Sequence, residues 1–311
     1  MFVYWADVPA ESYKLPSHRQ CVAVGRNFNQ HYMSKTARGA RRTVEVSVSA
    51  WIDLLGYGSM LREAQFDPTV ELAQKAIQRL ETFHKTAAKH AHRTFNIIAI
   101  NDGLICHKDI SPRASSKTAD FLKRVINLHR DINTVDIKDG YCGARAIVAT
   151  GFRVRALKRI TVESSIKEVL LKKLENNEIS STEAINMAVK SRSYFGIIPE
   201  IQANFAFTKA YLIDSEGSNG GFAGPNCFID LSMFNNPLPK YITFSNYINW
   251  NNNGLWGKFG QLKSFDFVKA GEEKDKGFLN AFEIAENITK SPDAEKRIRA
   301  ITKKKWSERE R

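Results

Sequence analysis

Between residues 44 and 53 every second side chain is apolar. Val44, Val46, Val48, Ala50 and Ile52 share one face, and Glu45, Ser47, Ser49, Trp51 and Asp53 the other. A period of two predicts a β-strand with one buried face, its polar side closed by Asp53. The segments C-terminal to Asp53 limit how that strand can pack. Asp67-Pro68 reads as a helix start, with Asp as N-cap and Pro in the first turn. Val70, Ala73, Ala76/Ile77, Leu80 and Phe83 then recur at three and four residues, which predicts an amphipathic helix to about residue 90. "TFNIIAI" and "LICHKDI" predict two strands joined around Asp102-Gly103, a dipeptide suited to a type I′ hairpin turn. A helix from about Lys117 to Arg130 and a buried strand in "ARAIVATGF" complete the series. Strand, helix, hairpin, helix, strand is the order of a ferredoxin-like βαββαβ sandwich of the α/β (α+β) class. Its sheet is rich in antiparallel pairs, and the first strand lies beside the hairpin.

The remaining chain is read as additions to that unit. Residues 1–43 form an N-terminal extension, and residues 44–270 the main domain with a charged helical insertion at about 157–195 ("SIKEVLLKKLE", "STEAINMAVK"). A helix at about 199–214 leads to a strand in "CFIDLSMF", then "YITFSNYINW" and a Gly/Asn-rich turn. Residues 271–311 hold a helix near 276–290 and a basic tail. No run of 18 apolar residues occurs, so no membrane partner is expected. Four cysteines without CxxC spacing, and no secretory pattern at the N-terminus, lead us to expect a cytoplasmic protein. Cys106 and Cys142 fall in predicted strands and are expected to be packed thiols.

The formal charge of +13 favours an anionic partner, whether nucleotide, nucleic acid or acidic lipid. The basic runs at 34–42, 153–159 and 296–311 read equally as solvated faces. Charge alone does not choose between a nucleotide enzyme and a nucleic-acid binder.

Asp53 and Asp102 narrow the choice. Adjacent strands are about 4.8 Å apart, so a strand-end Asp and a hairpin-tip Asp can reach one cleft. Two such carboxylates repel, which raises one pKa unless a cation lies between them. Magnesium or manganese suits this donor set, and a pair of ions supports phosphoryl transfer. Gly56, Tyr57, Gly58 and Ser59 come just after Asp53, and their backbone N–H groups could cradle a polyphosphate. Each feature also has a plain reading, Asp53 as a strand-end cap and Asp102-Gly103 as a turn. His84, His90 and His92 have the wrong spacing for a compact zinc set. No Walker loop, dinucleotide fingerprint, GxSxG or HExxH is present. The aromatic stretch "YITFSNYINWNNNGLW" would suit base stacking or a closing strand and turn.

"AWIDLLGYGSM", "NIIAINDGLI", "RAIVATG", "TKAYLID" and "GPNCFID" occur in that order. Together they resemble the catalytic core of class III nucleotidyl cyclases over about residues 44–250, and within it the divergent bacterial branch that includes the pyrimidine cyclases of Pycsar anti-phage systems. The resemblance implies two Mn2+ or Mg2+ ions at Asp53, the Leu54 backbone and Asp102. It implies a phosphate loop through Gly56 and Tyr57, with Leu54, Gly58 and Ser59 beside the substrate. It puts Arg145 at the family's strand arginine, a catalytic position or a structural ion pair, and Tyr211 near the pocket. It also implies a nucleoside triphosphate substrate with UTP ahead of CTP, a head-to-tail homodimer whose partner completes each site, and a downstream cyclic-nucleotide effector. Such a homodimer would also account for an aromatic such as Trp51 on the polar side of the strand.

The departures are specific. Thr208 and Leu212 stand where classical cyclases carry an Asn-x-x-x-Arg pair; Asn204 is the nearby amide but does not align. Arg153, Arg155 or Lys209 would have to serve the transition state instead. The competing readings are a palm-type nucleotidyltransferase making a dinucleotide, and a catalytically degenerate domain that binds nucleotide or nucleic acid.

Overall fold

The computed structural model describes residues 43–155, 162–190, 198, 200–252 and 255–289. The expected N-terminal extension, the basic tail, the basic runs at 34–42 and 296–311, and the end of the 153–159 run lie outside the described residues. The chain opens with β1 (Thr43–Leu54), the short helix α1 (Tyr57–Glu63) and α2 (Glu71–His90). Next come β2 (Ile97–Ile100), β3 (Gly103–Asp109), α3 (Ser116–Lys138) and β4 (Ala144–Arg155). The insertion forms α4 (Val162–Glu175) and α5 (Ser181–Lys190), before α6 (Phe205–Glu216) and β5 (Cys227–Asp230). The hairpin β6 (Ile242–Asn252) and β7 (Leu255–Phe265) precedes α7 (Phe267–Glu273) and α8 (Ala281–Ile288).

One seven-stranded sheet runs β2-β3-β1-β4-β5-β7-β6. Only β4 and β5 pair in parallel, so the expected antiparallel-rich α/β sandwich is the observed fold. β1 is central, with β3 and β4 antiparallel on its two sides. Val46, Val48, Ala50, Ile52 and Leu54 pack into a core with α2, α3 and α8 side chains such as Phe83, Leu122 and Ile284. The opposite face of β1 is also buried, which corrects the reading of a strand with one buried face. There Trp51 joins Ile105, Ile147, Ala149 and the α6 residues Ala210 and Ile213 in a second core. The serines that looked like solvent-facing polar positions, Ser47 and Ser49, are fully covered, and Ser49 Oγ reaches Asn204 Oδ1 at 3.4 Å. α6 lies so close to β4 that a Cβ on Gly151 would come within 2.6 Å of the Ala206 backbone nitrogen.

Local signals misplaced several boundaries. α2 begins at Glu71, because Asp67 closes its own turn onto Thr69 (backbone N–H to Oδ1, 2.9 Å) instead of capping the helix. α6 starts at Phe205, where Asn204 accepts from Phe207 N–H at 3.0 Å, later than the expected residue 199. α3 runs eight residues beyond the expected end at Arg130. β5 is only four residues long, and β7 was not foreseen, since Gly257, Gly260 and two lysines interrupt its alternation. Cys106 and Cys227 are buried as expected, whereas Cys142 precedes β4 and is exposed. Among the described residues no helix is long and apolar enough to cross a membrane.

The hairpin differs in kind. Its turn residues are Asn101 and Asp102, and only Asn101 has a positive φ, at 52°. Type I′ needs two such residues, so the Asp-Gly reading of the turn does not hold. Gly103 is instead the first residue of β3, paired with Asp53. It is glycine because Trp51 covers it: a Cβ there would lie 2.0 Å from the indole ring. Gly103→Ala should therefore cost about 2 kcal/mol of unfolding free energy. In a Trp51→Leu background the cost should shrink to well under half, read by urea denaturation as a double-mutant cycle. Equal costs in both backgrounds would remove the ring as the reason for the glycine.

Candidate active site

Asp53 and Asp102 are brought together by strand register. Asp53 lies opposite Gly103 on one side and Arg145 on the other. The next residue, Leu54, donates its backbone N–H to the Asp102 carbonyl at 3.1 Å, which joins the β1 end to the hairpin tip. The tip is held on its outer side as well. Asn101 Nδ2 donates to Asp102 Oδ1 at 2.9 Å, and His84 Nε2 meets the Asn101 carbonyl at 2.9 Å. That contact is where His84 is used; His90 instead pairs with Asp131 at 3.0 Å.

The electrostatics are those of crowded acids. Burial pushes the Asp53 carboxyl up to about 7, the charges of Asp214 and Asp102 add to the push, and Arg145 opposes it. Tyr57 is buried beneath the same turn, and burial together with Asp102 raises its phenol above the usual range. Gly56 takes a left-handed φ of 77° and α1 starts directly after it. The backbone N–H groups of Gly56, Tyr57 and Gly58 have no acceptor among the described residues. Ser59 accepts from Arg62 Nη2 at 3.1 Å.

Arg145 is buried and fully committed. Its Nε donates to Asp214 Oδ1 at 2.6 Å, Nη2 to the Asp214 carbonyl at 2.9 Å, and Nη1 to the Phe222 carbonyl at 3.0 Å. Asp214 also accepts from Trp51 Nε1 at 3.1 Å. Trp51 does lie on the polar side of β1, and there α6 of its own chain encloses it. Tyr211 is half exposed and packs edge-on against Trp51, with ring centroids 5.5 Å apart. Asp214 went unnoticed as a site residue, although it closes the quoted "TKAYLID"; its spacing from Arg145 in sequence carries no signal.

The other basic candidates lie elsewhere. Arg153 Nε donates to Asp109 at 2.9 Å, and the Arg155 side chain is outside the described residues. Lys209 Nζ pairs at 2.6 Å with the fully buried Asp230, whose carboxyl also accepts from Thr150 and Ser232. Burial alone would raise the Asp230 carboxyl, but Lys209 and these hydrogen bonds hold it below its usual value. This pair borders a cavity of about 630 Å³ lined by Thr208, Leu212, Trp250, Trp256 and Lys258.

Among the described residues no three His, Cys, Asp or Glu side chains converge as a closed metal cage. Two carboxylates beside a backbone carbonyl still form a hard-oxygen donor set. The raised Asp53 carboxyl is the mark of a place where a cation would relieve repulsion, and magnesium ordinarily takes its remaining ligands from water and phosphate.

No family model matches the chain, and no curated protein does. Among solved structures it is similar to nucleotide cyclases. The guanylyl cyclase Cya2 shares 13% identity at a TM-score of 0.43, over 74% of this chain and 96% of that one. The adenylyl cyclase CyaB from P. aeruginosa shares 11% at 0.40, over 73% and 98%. The non-canonical dimeric guanylyl cyclase domain of the RhoGC fusion protein from the aquatic fungus Blastocladiella emersonii shares 8% at 0.34, over 74% and 99%.

A carboxyl raised from 3.8 to about 7 has a stability signature. Between those pH values the folded chain keeps a proton that the unfolded chain has released, so its contribution is present below pH 4 and lost as pH rises through 7. Without divalent ions, Asp53→Asn should therefore be more stable than the parent at pH 8 by about 2 kcal/mol, once solvent access is discounted, and nearly equal at pH 4. Added manganese should raise the melting temperature of the parent and leave the variant unmoved. Parallel melting curves at both pH values would contradict the crowding of Asp53.

Proposed function

We propose that this chain is a nucleotidyl cyclase that converts a pyrimidine nucleoside triphosphate, UTP ahead of CTP, to the 3′,5′-cyclic monophosphate and pyrophosphate. The observation that carries the reading is the register that sets Asp53 opposite Gly103 and ties the Leu54 N–H to the Asp102 carbonyl, so that the two acids share one end of the sheet and the charge of Asp102 adds to the burial that raises the Asp53 carboxyl. In the reaction the ribose 3′-oxygen bonds to the α-phosphorus, the bond from that phosphorus to the bridging oxygen breaks, and pyrophosphate and a proton leave.

Asp53, the Leu54 carbonyl and Asp102 would hold magnesium or manganese. Bound there, the ions would lower the pKa of the ribose hydroxyl and neutralise phosphate charge. Asp53 must be ionised to serve, and Arg145 favours that state. The amides of Gly56, Tyr57 and Gly58, which have no acceptor among the described residues, would receive phosphate oxygens. Arg145, tied to Asp214, acts on this reading through its charge and not as a hand on the substrate. A role in anti-phage signalling through a downstream effector belongs to the same proposal and derives from the sequence resemblance.

Purified protein with manganese and each of the four ribonucleoside triphosphates, with products identified by mass spectrometry, tests the reaction. Cyclic UMP or cyclic CMP is expected, with at least a hundredfold loss in Asp53→Ala and in Asp102→Ala. A linear dinucleotide would assign a transferase instead, and undiminished turnover in either variant would remove the two-ion site.

We further propose a head-to-tail homodimer with shared sites. The cavity at the far end of the sheet is lined by Lys209, Lys258 and Trp256, and exposed Phe205 and Leu255 border it; the lysines would supply the transition-state cation that the Asp53 end, with Arg145 tied to Asp214, would draw from a partner. Mixing inactive Asp53→Ala with a Lys258→Ala variant should then restore activity to about a quarter of the parent level, because about half of the dimers are mixed and each mixed dimer rebuilds one of its two sites. No recovery from the mixture, with dimers present by light scattering, would rule out sharing.

A further inference from the structure

A closed loop of polar contacts lies behind the Leu54–Gly56 turn, and neither of its charged members has a place in the chemistry above. Arg79 stands on the buried face of α2, between Ala76 and Phe83, and is only 4% exposed. Its Nε and Nη2 grip Asp136 of α3 in a two-pronged pair at 2.8 and 2.7 Å. Nη2 also donates to the Leu55 carbonyl at 2.9 Å. Asp136 Oδ2 accepts from Gly143 N–H at 2.8 Å, and the Gly143 carbonyl accepts from Leu55 N–H at 2.9 Å. The circuit is thus Arg79, Asp136, Gly143, Leu55 and back to Arg79. It holds both backbone polar groups of Leu55, while Leu54 N–H is held by the Asp102 carbonyl. Tyr141 closes it from outside, its ring centroid 4.6 Å from the Arg79 guanidinium carbon.

Taking two charges out of water is costly, and apolar residues of similar volume would fill the same space about as stably. The ion pair does what apolar residues cannot: it gives a bare turn a fixed hydrogen-bonded position. Leu55 lies between the proposed ligand carbonyl of Leu54 and Gly56, where the run of amides without an acceptor among the described residues begins. We infer that Arg79 and Asp136 are positioning residues for the Asp53–Gly56 turn, clamping the Leu54 carbonyl and the Gly56 amide relative to Asp102. Neither residue reaches the substrate. The inference rests on the proposed cyclase reading for its role in turnover, but its effect on cation binding at Asp53 and Asp102 does not depend on which triphosphate reacts.

The geometry separates Arg from Lys. A lysine keeps the charge opposite Asp136 but offers one point of donation, so it cannot serve both carboxylate oxygens and the Leu55 carbonyl. The test compares the parent chain with Arg79→Lys, with the paired Arg79→Met/Asp136→Leu variant, and with Asp53→Ala. Melting temperature, manganese binding by loss of the free-ion paramagnetic signal, and kcat and KM for whichever triphosphate the parent turns over are read on each. The paired variant leaves the Gly143 N–H and the Leu55 carbonyl without these partners, so it should melt below the parent, bind manganese at least tenfold more weakly and lose at least thirtyfold in kcat. Arg79→Lys should fold and fall between, with KM nearly constant; it stands as the folded comparison if the paired variant does not fold.

Parental manganese affinity and kcat in folded Arg79→Lys or in the folded paired variant would overturn the inference and leave the pair a packing element. If the parent binds manganese through Asp53 but turns over no triphosphate, the cyclase reading fails, and the manganese comparison still decides the clamp. If the parent binds no manganese at all, there is nothing for the turn to position and both readings fall.

Discussion

Asp214 holds α6 against the sheet, and the arrangement of the acidic end depends on that contact. Its carboxylate takes one hydrogen bond from Arg145 on β4 and another from Trp51 on β1, so helix and two central strands meet at one side chain. A buried pair of this kind adds little net stability, because the desolvation cost nearly cancels the attraction. Its value is geometric. It fixes the indole over Gly103, the indole fixes how the hairpin approaches β1, and the hairpin brings Asp102 to Asp53. It also engages Arg145, the cation whose charge opposes the rise of the Asp53 carboxyl. Asp53 is left with two negative neighbours and a guanidinium already neutralised by another acid.

That imbalance is the feature a stable fold would avoid and a cation site would keep. Burial raises the Asp53 carboxyl most, with the charges of Asp214 and Asp102 adding to it, and the packing on both faces of β1 holds the three acids in that arrangement. Replacing the acid would relieve the strain at the expense of the chemistry, the usual tension between stability and function. The Arg79–Asp136 clamp and the Asp214 contact divide the work. One fixes the backbone after Asp53, the other the sheet face on which its carboxylate stands.

At the opposite end of the sheet the same grammar appears with the sign satisfied. Asp230 is as deeply buried as any acid here, yet Lys209, Thr150 and Ser232 meet it completely, and its carboxyl is held low. The contrast between a fully compensated acid beside a cavity and an uncompensated acid beside a hairpin is what separates the two ends chemically. A single protomer therefore presents carboxylates at one end and basic, aromatic groups at the other.

The pattern of side chains by itself determined the central strand, the hairpin beside it, the order of the βαββαβ unit and the candidacy of Asp53 and Asp102, because period-two and period-3.6 burial are local and leave their mark on neighbouring residues. It did not disclose that Ser47, Ser49 and Trp51 are covered, since polar residues on alternate positions look the same whether water or a helix distant in sequence lies above them. β7 was hidden for a related reason: its glycines lie where other rings need room, Gly260 against Phe244, and only pairing with β5 and β6 makes that segment a strand. Arg79 left a faint trace, a charge inside the apolar stripe of α2, but its partner Asp136 lay beyond the expected end of α3. Tertiary structure alone decided which acids are compensated, because compensation depends on contacts between residues 21 to 163 positions apart, and sequence distance carries no record of those.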